Sequence, residues 1–241
     1  GSMTPFQAVC TALASTVGTG NIAGVAGAIA IGGPGAVFWM WVSAILGMCT
    51  KFSEVTLAVH FRERNQEGDY VGGPMYYLKN GAKMPILGSL FAFFLMVEIA
   101  PSIATQSASI VQTAETINIP PVISGIAVVF IVGLVVYGGI KRISKVTEKL
   151  VPFMAIAYFL IALIVVLFSF ENIPATFTLI FKGAFNPTAA AGGFAGSVVS
   201  ATIRTGAARG AYSNEAGMGS AAITAAAATT DNPVRQGYIN M

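Results

Sequence analysis

Apolar runs, most of them at least about the 20 residues a helix needs to cross a bilayer, recur six times along the chain, at 5–31, 35–60, 86–117, 121–139, 150–170 and 189–228. Polar positions collect between them in three places. These are the loop RERNQEGDYVGGPMYYLKNG at 62–81, the basic connector KRISKVTEK at 141–149 and the Pro-containing segment ENIPATFTLIFKGAFNP at 171–187. The last alternates apolar and polar residues too briefly to span, so it is expected to lie along the membrane surface. The pattern predicts an all-α membrane protein with six transmembrane segments.

Two of the six runs are interrupted near their middle. In the first, VGTGNIAG (residues 17–24) places Gly18, Gly20 and Ala23 in the spacing of a dinucleotide fingerprint. That reading fails on context, because a helix-like stretch precedes the glycines and the next acid, Glu54, stands inside an apolar run. Two readings remain. Small residues such as Gly20, Gly24 and Gly27 let helices approach closely. Alternatively the helix breaks, since two glycines within three residues weaken it where Thr19 and Asn21 add polarity. Unwound backbone survives in a membrane only where it lines a cavity or meets a ligand. Its N–H groups then face an anion and its carbonyls a cation. On this reading Thr19, Gly20 and Asn21 contact a carboxylate and an ion, and Thr16, Val17 and Gly18 offer carbonyls.

The sixth run repeats the theme. Ser213, Asn214 and Glu215 are followed by Gly217 and Gly219 inside SVVSATIRTGAARGAYSNEAGMGSAAITAAAA. Two Gly-interrupted segments five helices apart point to a transporter of inverted repeats, with its site between the broken helices. The expected organisation is a cloning remnant at 1–3, a first five-helix repeat at 4–170, a surface segment at 171–188 and the start of a second repeat at 189–241.

Composition agrees, with 55% hydrophobic and 10% charged residues in 241 and a mean hydropathy of +0.74, against about 25% charged in soluble domains. The net charge of +3 is spread without a basic aromatic stripe, so no nucleic-acid partner is expected. Cys10 and Cys49 lie in apolar runs, and neither a disulfide nor a metal site is expected. Lysine and arginine set the orientation. Arg62, Arg64, Lys79, Lys83, Lys141, Arg142, Lys145 and Lys149 share one side and Lys182 the other. This places the N-terminus in the cytoplasm of a multi-pass plasma-membrane protein.

Polar residues inside the apolar runs remain. Lys51 and Glu54, one turn apart, read as an internal ion pair or as a relay. Glu98 is either cavity-facing or interfacial. Arg204 and Arg209 are expected to pair with Glu215 or another helix. Trp39, Trp41, Tyr76 and Tyr77 read as anchors at the water boundary. Motifs for an enzyme, such as HExxH or GxSxG, do not occur.

The runs ALASTVGTGNIAGVAGAIAIGGPGAVFWMW, VGGPMYYLKNGA, VPFMAIAY and RGAYSNEAGMGSAAITAAAATTDNPVRQG together resemble the alanine/glycine:cation symporter family, also called the sodium:alanine symporter family. The resemblance implies a leucine-transporter-like inverted-repeat fold, present in part. It implies symport of a small neutral amino acid, alanine or glycine, coupled to sodium by alternating access, with no cofactor beyond that ion. It further implies substrate contacts by Thr19, Gly20, Gln106, Asn214 and Gly217. The ion contacts are then Thr16, Val17, Gly18, Asn21 and Ser213. Family members run to about twice this length, so a fragment is expected, one that could associate with a copy of itself. A passive pore or a helix scaffold is the alternative.

Overall fold

The computed structural model describes residues 2–185 and 195–241, the side chains of 195–198 excepted. The expected boundary between surface segment and second repeat, at 188 and 189, lies outside the described residues. Eleven α-helices occur among them: α1 (Pro5–Thr16), α2 (Thr19–Gly32), α3 (Gly35–His60), α4 (Pro74–Asn80), α5 (Pro85–Glu115), α6 (Pro121–Val136), α7 (Gly139–Phe168), α8 (Ile173–Phe185), α9 (Ala195–Asn214), α10 (Ser220–Ala226) and α11 (Pro233–Asn240). A hairpin of β1 (Glu63–Arg64) and β2 (Tyr70–Val71) pairs Glu63 with Val71 and Arg64 with Tyr70.

Local chemistry accounts for most starts. Proline opens α1, α4, α5, α6 and α11, where its missing N–H costs nothing. Thr4 and Gln7 add a reciprocal capping box to α1. The basic connector at 141–149 is not a loop. It forms the opening turns of α7, because it holds no helix breaker and buries Ser144, Thr147 and Val151 on one face.

Among the described residues α3, α5 and α7 are long and apolar enough to cross a membrane, and α1 with α2 qualifies as one broken span. The remaining two expected spans fall short. α6 has 16 residues, about 24 Å at 1.5 Å per residue against a hydrocarbon core of about 30 Å. The small and polar side chains of α9, with Arg204 and Arg209, make it too weakly apolar. Large side chains along α5 to α7 face outward, Phe153 at 71% and Phe168 at 90% exposure, as a lipid-facing surface requires.

The chain forms two compact units. One comprises residues 1–20, 50–151 and 217–241, the other 21–49 and 152–216.

In the first unit α1 lies against α10, whose Ala221, Ala222, Ala225 and Ala226 are all buried. Small side chains allow that approach. Across α1 and α7, the Thr11 and Thr147 hydroxyls share a buried hydrogen bond of 3.0 Å. Gln7 Nε2 donates to Glu148 Oε2 at 2.6 Å. Ser2 and Met3, set aside as a remnant, are engaged by the fold. Ser2 N–H donates to the Ala227 carbonyl, Thr229 N–H donates to the Met3 carbonyl, and Met3 is buried. Arg62 fastens the far end of α10 by donating to the carbonyls of Ala226, Ala228 and Thr230 at 3.1, 2.7 and 2.6 Å. Its guanidinium also stacks 3.7 Å from the Tyr70 ring centre.

Tyr77 of α4 packs on Ala58, Ala222 and Ala226 rather than serving only as a boundary anchor. Burial, with a smaller effect from the Glu54 charge, pushes its phenol up to about 12. An unfolded tyrosine ionises near about 10, so the fold holds the proton longer. The stability this contributes is complete below about pH 10 and is lost as pH climbs towards about 12. In an ultraviolet phenolate titration Tyr77→Phe is expected to remove the tyrosine that ionises last.

In the second unit the segment expected on the surface supplies α8, which docks on α3. Gly35 meets the Gly183 backbone so closely that neither position has room for a side chain. Trp39 Nε1 donates to the Ala184 carbonyl at 3.1 Å, and Trp41 meets Phe177 at a tilt and Phe181 edge-on. Gly206 and Gly210 bring α9 against Ala36, Trp39 and Ser43. Thr202 Oγ1 donates to the Gly32 carbonyl at 2.8 Å, satisfying the end of α2.

Candidate functional site

Both expected interruptions exist, and both are narrower than the sequence suggested. The first is confined to Val17 and Gly18. Val17 is extended, at φ −95° and ψ 113°, and the helix resumes at Thr19. Gly20 and Asn21 therefore belong to the first turn of α2, where backbone N–H groups lack partners within the helix. The second runs from Glu215 to Gly219, so Ser213 and Asn214 close α9. Glu215, Gly217 and Gly219 take positive φ of 51°, 91° and 84°, a run of left-handed backbone that stops one helix and starts the next.

In the first unit the break meets Gln106 of α5. Thr19 Oγ1 donates to Gln106 Oε1 at 3.0 Å. The Gln106 amide lies where a Gly18 side chain would project, 2.7 Å from the ideal Cβ at Nε2 and 2.9 Å at Oε1. Glycine at 18 thus lets the Gln106 amide stand this close, as well as weakening the helix. Pro101, five residues before Gln106, sits inside α5 without ending it. Thr16 returns its hydroxyl to the Ala12 carbonyl at 2.9 Å. The same unit holds Gly217, whose N–H donates to Glu54 Oε2 at 3.0 Å. Glu54, read from sequence chiefly as the partner of Lys51, is directed at the second break.

In the second unit Asn21 reaches Ser213. Its Nδ2 donates to Ser213 Oγ at 2.9 Å and to the Ser213 carbonyl at 3.3 Å. A cavity of about 210 Å³ opens beside them, lined by Val25, Met40, Trp41, Gly210, Ser213 and Asn214 among others. Arg209, expected to pair with Glu215 or another helix, lies in the space left by Gly24 and 5.1 Å from the Tyr212 ring centre. Gly24 thus makes room for a side chain of α9, whereas nothing lies within reach of a Cβ at Gly27.

The expected residues therefore separate by unit. Thr19, Gln106 and Gly18 meet in one, with Gly217 held by Glu54, and Asn21, Ser213 and Asn214 gather in the other. Sequence reasoning missed the Glu54 link and the Asn21–Ser213 pair. Their signals were a buried acid one helix after the first break, and two polar residues each beside a glycine-rich interruption.

The chemistry available is hydroxyl, amide and backbone dipole at breaks in apolar helices. Among the described residues no group of three or more His, Cys, Asp or Glu could hold a metal. The profile of the sodium:alanine symporter family matches residues 1–241. The chain is 54% identical to YflA of Bacillus subtilis, an uncharacterized transporter, over 99% of this chain and 51% of that protein. It is 44% identical to the sodium/alanine symporter AgcS of Methanococcus maripaludis, over 100% of this chain and 54% of that protein. With the probable sodium/glutamine symporter GlnT of Bacillus subtilis it shares 40%, over 99% of this chain and 49% of that protein. The chain spans about half the length of the curated relatives it matches.

Proposed function

Because the chain belongs to the sodium:alanine symporter family, we propose that it is part of a sodium-coupled carrier that takes up a small neutral amino acid, alanine or glycine, by alternating access. The Thr19–Gln106 bond across the first break is the observation that carries this reading. It holds the Gln106 amide, through its oxygen, beside unwound backbone and the start of α2, and leaves its NH2 group on the side where an amino-acid carboxylate would need a donor.

In this reading Thr19, Gly20, Gln106, Asn214 and Gly217 serve the substrate. Gly217 contributes through its backbone bend, since its N–H is engaged by Glu54. Carbonyls of Thr16, Val17 and Gly18, with the side chains of Asn21 and Ser213, serve sodium, a cation suited to oxygen ligands. The name of AgcS supports alanine and that of GlnT a larger amide substrate, and the small side chains around the breaks favour the former. The further proposals are a leucine-transporter-like repeat of five helices with the start of a second, and six spans in the plasma membrane. They place the N-terminus in the cytoplasm and allow a copy of the chain to cover surfaces of the incomplete repeat.

Gln106→Ala removes a group that hydrogen-bonds a charged ligand, a loss of about 1.5–3 kcal/mol. Sodium-dependent alanine binding is expected to weaken about tenfold or more, while Lys51→Ala stays within about threefold. The reverse order in equilibrium binding to the purified chain would move the site away from the first break.

A further inference from the structure

The second break contains its own anion. Between α9 and α10 the backbone runs through three left-handed residues in five, Glu215, Gly217 and Gly219. Amide groups unwound in this way need an acceptor where water is scarce. The residue before α10, Gly219, supplies no side-chain cap. An acceptor comes instead from α3. Glu54, only 7% exposed, brings Oε2 within 3.0 Å of the Gly217 N–H. Few groups are as costly to bury as a carboxylate, and burial is tolerated where charged hydrogen bonds replace its hydration.

The packing leaves little freedom around this arrangement. A side chain at Gly219 would strike Pro74 and Phe91, so this part of the bend is pressed against α4 and α5. Glu54 itself is flanked by Val55 and Ala58, both fully buried. The acceptor is therefore fixed on one side and its donor on the other.

We infer that Glu54 is a positioning residue. Its carboxylate accepts from the unwound backbone at Gly217, ahead of α10, and holds the second break without any anionic ligand. The two breaks then differ in kind. The second has its Gly217 amide bonded to an acid of the protein, whereas at the first Thr19 bonds the neutral amide of Gln106. An amino-acid carboxylate is thereby turned away from the second break, where the Gly217 amide is already bonded to a like charge. The direction of the carboxylate rests on the functional reading above, but the positioning role does not.

Hydrogen–deuterium exchange of the purified chain, read by mass spectrometry on peptides covering 213–222 without substrate, tests that role. Glu54→Ala is expected to accelerate exchange of those amides about tenfold or more. Glu54→Gln keeps an acceptor of the same length and should stay within about threefold of the unaltered chain. Glu54→Asp keeps the charge but is one methylene shorter, and should exchange faster than Glu54→Gln. Unchanged exchange in Glu54→Ala, or better protection by Asp than by Gln, overturns the assignment, and the Gln–Asp order still decides if the alanine variant does not fold. In parallel, half-saturation for alanine should rise in Glu54→Ala and recover in Glu54→Gln. Failure of the unaltered chain to bind alanine would strike the functional reading and leave the exchange result to decide the role of Glu54.

Discussion

Gly18→Ala is expected to lower sodium-dependent alanine binding by about tenfold or more while the chain keeps its helix content. The new methyl would come within 2.7 to 3.0 Å of the Gln106 amide, closer than nonbonded atoms pack. The obstacle is the free end of a flexible side chain, so the fold relieves the clash by turning the amide away. That movement breaks the 3.0 Å bond from Thr19 to Gln106. A hydrogen bond to a charged ligand is worth about 1.5–3 kcal/mol, and moving Gln106 and Thr19 out of register removes at least one. Binding by isothermal titration and helicity by circular dichroism read the two effects separately. A variant that binds as tightly as the parent would show that the apposition of Gly18 and Gln106 has no part in the site.

The largest expected effect on stability lies at the second break. At Gly219, φ is +84° and an added Cβ would stand 2.5 Å from Pro74 Cγ and 2.8 Å from Phe91 Cζ. Left-handed backbone costs an ordinary residue about 1–2 kcal/mol, and overpacking against a proline ring adds about 1–3 kcal/mol. Gly219→Ala should therefore lose about 2–5 kcal/mol. Gly217 provides the contrast, because its φ of +91° carries the same backbone penalty but the nearest atom, Thr50 Cγ2, is at an ordinary 3.7 Å. Gly217→Ala should lose only the backbone share. Thermal unfolding in detergent compares them, and equal losses would mean that crowding by α4 and α5 is not what fixes the bend.

Helix positions were legible to the extent that one face or one run decided them. The apolar run 35–60 coincides with α3, and 86–117 lies within two residues of α5, because hydropathy alone sets where such helices end. The breaks were legible from glycine, which is the cheapest residue to unwind. Their width was not, since Thr19, Gly20 and Asn21 wind back into helix once α2 has packing to rest on. The basic start of α7 was read as a loop for a related reason. Its polarity is local, whereas the burial of Ser144 and Thr147 that makes it helical depends on α1, over a hundred residues away.

Partners across the chain were the least legible part. Gln106 came from family resemblance, because periodicity cannot say which residue of α5 meets position 19. Asn21 with Ser213 and Glu54 with Gly217 are 192 and 163 residues apart, and helix packing alone selects them. For Glu54 the nearer choice, Lys51, was the natural one from spacing. The amide released at Gly217 is a further partner that only the tertiary structure brings into reach.

The most direct test of the central claim is equilibrium binding of radiolabelled L-alanine to the purified 241-residue chain in detergent, with sodium and again with potassium in its place. Saturable binding in sodium that is lost in potassium is the expected result. Binding that is indifferent to the cation, or absent while AgcS of Methanococcus maripaludis binds under the same conditions, would contradict the claim that the breaks in this chain form a sodium-coupled amino-acid site.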